Sequence, residues 1–66
     1  MRIVVNGTAR EAPPAQPLAD LLTELGLGLG WVVVEYNGTA LSRSEAAGVG
    51  LAEGDRLEIV RAVAGG

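Results

Sequence analysis

The sequence closes on Val63-Ala64-Gly65-Gly66, and the carboxylate of Gly66 is the group whose setting best suits covalent chemistry. Glycine has no Cβ, so a Gly-Gly arm can thread a narrow channel and take backbone angles closed to other residues. A carboxylate is a poor acylating group. Attack on the α-phosphate of ATP turns it into a mixed anhydride, an acyl-adenylate that sulfur can capture. The rest of the chain offers little to compete with this. It has no His and no Cys to act as base or nucleophile, and no Lys to complete a phosphate-binding loop. A partner enzyme must therefore supply the ATP site.

Other candidate features have simpler readings. Gly26-Leu27-Gly28-Leu29-Gly30 follows a helical pattern rather than a strand, the wrong context for a dinucleotide fingerprint, and reads as a linker. Glu53 and Asp55 flank Gly54, which is ordinary turn chemistry. Without Cys and His, a disulfide and the usual nitrogen and sulfur zinc sites are excluded. The absence of Lys fits a composition rich in Ala, Gly and Arg. A protein that activates its own C-terminus would also gain from having no side-chain amine to attack it.

The elements that must position the tail follow from period and punctuation. Two Asn-Gly pairs, Asn6-Gly7 and Asn37-Gly38, are strong hairpin signals. The first joins Ile3–Val5 to a short strand over Thr8–Ala12. Pro13 and Pro14 then break the sheet. Leu18, Leu21, Leu22 and Leu25 recur at helical spacing, so 17–25 is a helix, with Asp20 in its first turn and Gly26 just past its end. Trp31–Tyr36 is rich in β-branched and aromatic residues and reads as a strand. Thr39–Ser42 returns as a strand after the second Asn-Gly, and Ser44–Ala47 allows one helical turn. Arg56–Ala62 is the last strand, with Leu57 and Ile59 on one face and Glu58 and Val60 on the other.

The expected order, β-β-α-β-β-β, gives an α+β fold, a mixed sheet of about five short strands with one main helix packed on one face. The strands flanking the helix should run parallel. The uncovered face should carry Val4, Val33 and Val60, either as isolated exposed residues or as a partner surface. Residues 1–62 form a single domain, and 63–66 form a flexible tail.

Composition sets the outer bounds. A chain of 66 residues makes one domain with a thin core, and hydrophobic residues at 48% argue against disorder. The net charge of −3 disfavours nucleic acid and suits a basic partner surface. No targeting segment is visible, and nothing approaches the ~18 apolar residues of a membrane span. The expectation is a soluble cytoplasmic protein.

Taken together, these residues resemble the ThiS family, the sulfur carriers of thiamine biosynthesis within the β-grasp, ubiquitin-like superfamily. The resemblance rests on Ile3-Val4-Val5-Asn6-Gly7, Leu18-Ala19-Asp20-Leu21-Leu22 and Val34-Glu35-Tyr36-Asn37-Gly38. It continues through Arg43 to Gly54-Asp55-Arg56-Leu57-Glu58-Ile59-Val60 and Val63-Ala64-Gly65-Gly66. It implies a carrier and not an enzyme. A ThiF-like adenylating enzyme would activate Gly66 with ATP and magnesium. A persulfide donor would convert it to a thiocarboxylate, and a ThiG-like thiazole synthase would take the sulfur. Gly66 is then the covalent carrier and Gly65 the spacer, with Val60, Val63 and Ala64 as partner contacts. The chain itself would bind no metal or cofactor.

Three positions depart from the family pattern. Pro17 stands where relatives often have a capping Thr or Ser, Ser42 where many have Pro, and Trp31 where small residues are usual. Related carriers for molybdopterin synthesis, tRNA thiolation or protein modification share the tail. An interaction module with an incidental Gly-Gly is the alternative of a different class.

Overall fold

The structure, a computed structural model, describes residues 1–61, so the expected tail over 63–66 and Ala62 lie outside the described residues. Strands β1 (Arg2–Val5) and β2 (Thr8–Glu11) form the first hairpin. At its turn Asn6 and Gly7 have φ of 49° and 82°. Two successive positive φ values define the turn that matches strand twist, which is why Asn-Gly is found there. Asn37 and Gly38 repeat this between β3 (Val32–Tyr36) and β4 (Thr39–Leu41). The last strand is β5 (Arg56–Arg61).

The order across the sheet is β2-β1-β5-β3-β4. The strands flanking the helix, β2 and β3, run in the same direction as expected, but they are not neighbours. The parallel hydrogen-bonded pair is β1 with β5. The final strand thus sits at the centre of the sheet, a placement that local sequence does not encode.

Helix α1 spans Leu18–Glu24. Leu18, Leu21 and Leu22 are buried against the sheet and Leu25 is half-buried. Its C-terminus closes with two backbone bonds, Gly26 N–H to the Thr23 carbonyl (3.0 Å) and Leu27 N–H to the Leu22 carbonyl (2.8 Å). Gly26 takes φ of 75°, the left-handed conformation this closure needs. The N-terminus has Pro17 as cap, with no side-chain acceptor. The loss is made good from another part of the chain, because the Leu18 N–H donates to the Val49 carbonyl at 3.0 Å.

Most expected boundaries move by one residue, with the first strand starting at Arg2, the second ending at Glu11, the main helix running Leu18–Glu24 and the second helix starting at Arg43. Two further shifts change a residue's role. Trp31 does not open β3; it ends a single 3-10 turn over Leu29–Trp31. Ser42 does not extend β4. It caps α2 (Arg43–Ala47), where the Glu45 N–H donates to Ser42 Oγ (3.1 Å) and the Ser42 N–H donates to Glu45 Oε1 (2.7 Å). This capping box satisfies two orphan donors at once, which a Pro at position 42 could not do.

The core is small. Ile3, Leu18, Leu21, Leu22 and Leu57 are almost completely buried, with Val34, Leu51 and Ile59 around them. One helix covers one face, so the opposite face keeps Val33 and Val60 exposed and Val4 half-buried. Leu22→Ala is expected to cost about 2–5 kcal/mol, as buried leucine truncations do. Chemical denaturation measures it; a change under 1 kcal/mol would place Leu22 outside the core.

Candidate functional site

The candidate site is the C-terminal end of β5, which Ala62–Gly66 follow in the sequence. Three polar side chains hold the strand in place. Asn6 donates its amide Nδ2 to the Ile59 carbonyl (3.1 Å) and accepts the Ile59 N–H on Oδ1 (2.7 Å). Its carboxamide therefore continues the β1 ladder one step after the backbone has turned away. Asn37 does the same from the other side. It accepts the Arg56 N–H on Oδ1 (2.8 Å), and its own N–H donates to the Arg56 carbonyl (2.8 Å).

Asp55 joins these pieces. It is buried at 7% exposure and accepts from the Tyr36 hydroxyl (2.7 Å), the Asn37 amide (3.1 Å) and the Ala52 N–H (2.8 Å). Burial pushes its carboxyl upward, but the hydrogen bonds from Tyr36, Ala52 and Asn37 outweigh this and hold it below the usual carboxylate range. The same contact raises Tyr36 above the ordinary phenol value, first through the hydrogen bond to Asp55 and then through burial. Asp55 is thus part of a structural turn, as its place beside Gly54 implied, and not half of an acid–base pair.

Of the sequence-predicted site residues, Val60 is on the open face at 60% exposure, directly opposite Val33 at 47%. Val63, Ala64, Gly65 and Gly66 lie outside the described residues. The end of β5 has a second feature on its helix side. Leu27, Gly28, Trp31 and Arg61 with Gly26 line an open groove of about 340 Å³. Trp31 is 65% exposed there. A Cβ on Gly28 would lie 3.3 Å from the indole, and one on Gly30 would run into the Arg43 guanidinium. The glycine-rich run is therefore more than a linker, because it lets Trp31 and Arg43 pack onto bare backbone. Among the described residues, no group of three or more Asp or Glu side chains could hold a metal, and no helix is long and apolar enough to cross a membrane.

The ThiS family model matches residues 3–66. This chain belongs to the ThiS family. A crystal structure of a thiamine biosynthesis protein, ThiS, from Geobacter metallireducens is similar at a TM-score of 0.80 and 29% identity, covering 100% of both chains. A solution structure of a thiamine biosynthesis protein from the same organism has a TM-score of 0.76 and 29% identity, covering 100% of this chain and 88% of that one. The mixed sheet and its helix are thus the β-grasp fold of the ThiS family, whose members are small sulfur carriers of thiamine biosynthesis. A thiazole synthase from Paramagnetospirillum magneticum is 38% identical over 66 residues; this ThiS-family chain spans about a fifth of that relative's length (20%).

Two outcomes test how β5 is held. Asn6→Gly preserves the positive φ but removes both amide contacts. It should lower stability by about 1–3 kcal/mol and speed hydrogen exchange at Ile59 relative to Leu57; unchanged exchange would show that the carboxamide is dispensable. The Asp55 contribution should be present above the unfolded-state Asp pKa of about 3.9 and be lost as pH falls through the lower folded value. The Tyr36 contribution should be present below about pH 10 and be lost as pH rises through its raised folded value. In melts across pH, Asp55→Asn should flatten both limbs and Tyr36→Phe chiefly the alkaline one. An unaltered profile in Asp55→Asn would exclude the network as their source.

Proposed function

We propose that the protein carries sulfur as a thiocarboxylate on Gly66 for formation of the thiamine thiazole. Membership of the ThiS family supports the pathway. The observation that carries the site is the placement of β5. It is the central strand, pinned by Asn6, Asn37 and Asp55, and its C-terminal end leads directly into Ala62–Gly66. A rigid strand followed by small residues suits presentation of one carboxylate to the active site of another protein. Among the described residues no side chains form a catalytic set, so the chain acts as co-substrate and the partner does the chemistry.

The Gly66 carboxylate attacks the α-phosphorus of ATP, bound with magnesium by a ThiF-like adenylating enzyme, and pyrophosphate leaves. The terminal sulfur of a persulfide attacks the acyl carbon, and AMP leaves with the bonding electrons. A thiol then reduces the resulting acyl disulfide, releasing the thiocarboxylate and forming a new disulfide. Gly65 keeps the approach narrow, and Val63 and Ala64 are contacts for the enzyme that grips the tail. A ThiG-like thiazole synthase is the acceptor, supported by the 38% identity to part of such an enzyme. The setting is cytoplasmic, where ATP and persulfide donors are at hand.

Intact mass spectrometry tests this directly. The purified protein is incubated with a thiamine-pathway adenylating enzyme, ATP, magnesium and a persulfide donor. The expected result is replacement of one oxygen by one sulfur, abolished by deleting Gly66. No mass change with an enzyme that thiolates its own carrier would reject the thiamine assignment. A mass change that survives deletion of Gly66 would reject the site.

A further inference from the structure

The groove on the helix side of β5 has a lining that one segment of this chain matches. Leu27 and Trp31 are its apolar part, Gly26 and Gly28 leave bare backbone, and Arg61 adds a cation. No acid lines it, in a chain with eight acids and a net charge of −3. Arg43 packs its guanidinium on Gly30, the neighbour of Trp31. Among the described residues neither Arg43 nor Arg61 makes an ion pair. The groove therefore suits a small apolar side chain followed by an anion.

The segment after Arg61 is Ala62-Val63-Ala64-Gly65-Gly66. Five extended residues reach about 17 Å at most, enough to cross a groove of about 340 Å³. Strand geometry sets its direction. Arg61 stands opposite Val32, so the same register carried on would bring residue 62 to Trp31 and residue 63 to Gly30. The 3-10 turn Leu29–Trp31 takes the partner strand away there, beside the groove. Leu57 and Ile59 face the helix side, and Arg61 lines the groove on that same side. By alternation the next residue on that side is Val63, the one large apolar side chain of the segment.

We propose that, in the carrier free of partners, Ala62–Gly66 folds back into this groove, with Val63 on Leu27 and Trp31 and the Gly66 carboxylate against the Arg43 guanidinium. Gly65 and Gly66 can take the turn angles that bring the carboxylate there. The bare backbone of Gly28 and Gly30 is what places both recognition groups, since a Cβ at Gly28 would meet the indole at 3.3 Å and one at Gly30 would displace Arg43. The proposal rests on the carrier reading for what the contact does. A tail held against its own domain is withheld until a partner competes for it.

Trp31 is the only tryptophan of the chain, so its fluorescence reads the groove. Emission and acrylamide quenching are measured for wild type, Val63→Ser, Arg43→Gln and a chain lacking residues 63–66. Protein and salt concentrations are varied, and thermal melts run alongside. The expected result is a red shift and stronger quenching in the truncated chain, a smaller change of the same sign in both substitutions, and melting temperatures little changed. Added salt should move wild type toward Arg43→Gln and leave that variant nearly unaffected, because screening acts on a charge it lacks. Identical emission and quenching in wild type and truncated chain overturn the proposal. A difference that vanishes on dilution assigns the groove to the tail of a second copy and overturns it too. A tail docked about half the time raises the apparent KM for thiolation about twofold, so Trp31→Ala should lower KM by that factor. A raised KM would make Trp31 a contact of the enzyme and overturn the proposal. The fluorescence needs no enzyme, so a wild type that shows the contact but is not thiolated supports the contact and removes the carrier reading.

Discussion

The hydrogen bonds that converge on Asp55 are the constraint on which the rest of this fold depends. One buried carboxylate receives donors from β3, from the second Asn-Gly turn and from the loop before β5. Leaving such a group unpaired would cost about 1–3 kcal/mol per lost partner, a large share of what a small domain has in total. Satisfying it fixes where β5 begins. The register against β3 then follows, with Leu57 opposite Tyr36 and Arg61 opposite Val32. Leu57 and Ile59 turn into the core as a consequence, because a slip of one residue would put them in water and bring Glu58 inside.

Much of this was legible in the sequence, and for local reasons. Asn-Gly needs two positive φ values in a row, so both hairpins could be placed. The leucines at 18, 21, 22 and 25 share one helical face whatever lies beneath them. Gly26 ends that helix by its own conformational freedom. What was not legible depends on residues far apart in the chain. Nothing near Asn6 says that its carboxamide will pair with Ile59. Nothing near Pro17 says that the carbonyl of Val49 will serve the helix in place of a capping side chain. The central place of β5 has the same origin, since strand order depends on the whole connection through α1. Trp31 lies outside β3 for another reason. Its β propensity is real, but the bare backbone of Gly28 and Gly30 let the chain turn once more before the strand began.

The thinness of the core explains the two-faced character of the sheet. A single helix of seven residues can bury one face only. The other face must be stable in water. It mixes the short apolar side chains of Val33 and Val60 with the charged ones of Glu35, Arg56 and Glu58. Tight packing on one side and a lightly apolar face on the other follow from the chain length. They also separate the parts of the molecule that hold it together from those left available to another protein.

On the proposed reading a carrier must release each partner as readily as it binds it, and this would limit how strong any contact through the open face can be. Burying Val33 and Val60 more fully would contribute at most about 1.5–3 kcal/mol each, and less here because both are already partly covered. Exposed charge pairs add about 0.2–1 kcal/mol apiece. Association itself costs at least ~4 kcal/mol in lost motion. The face alone therefore sums to weak binding, and on the proposed carrier reading the tail would have to supply the rest.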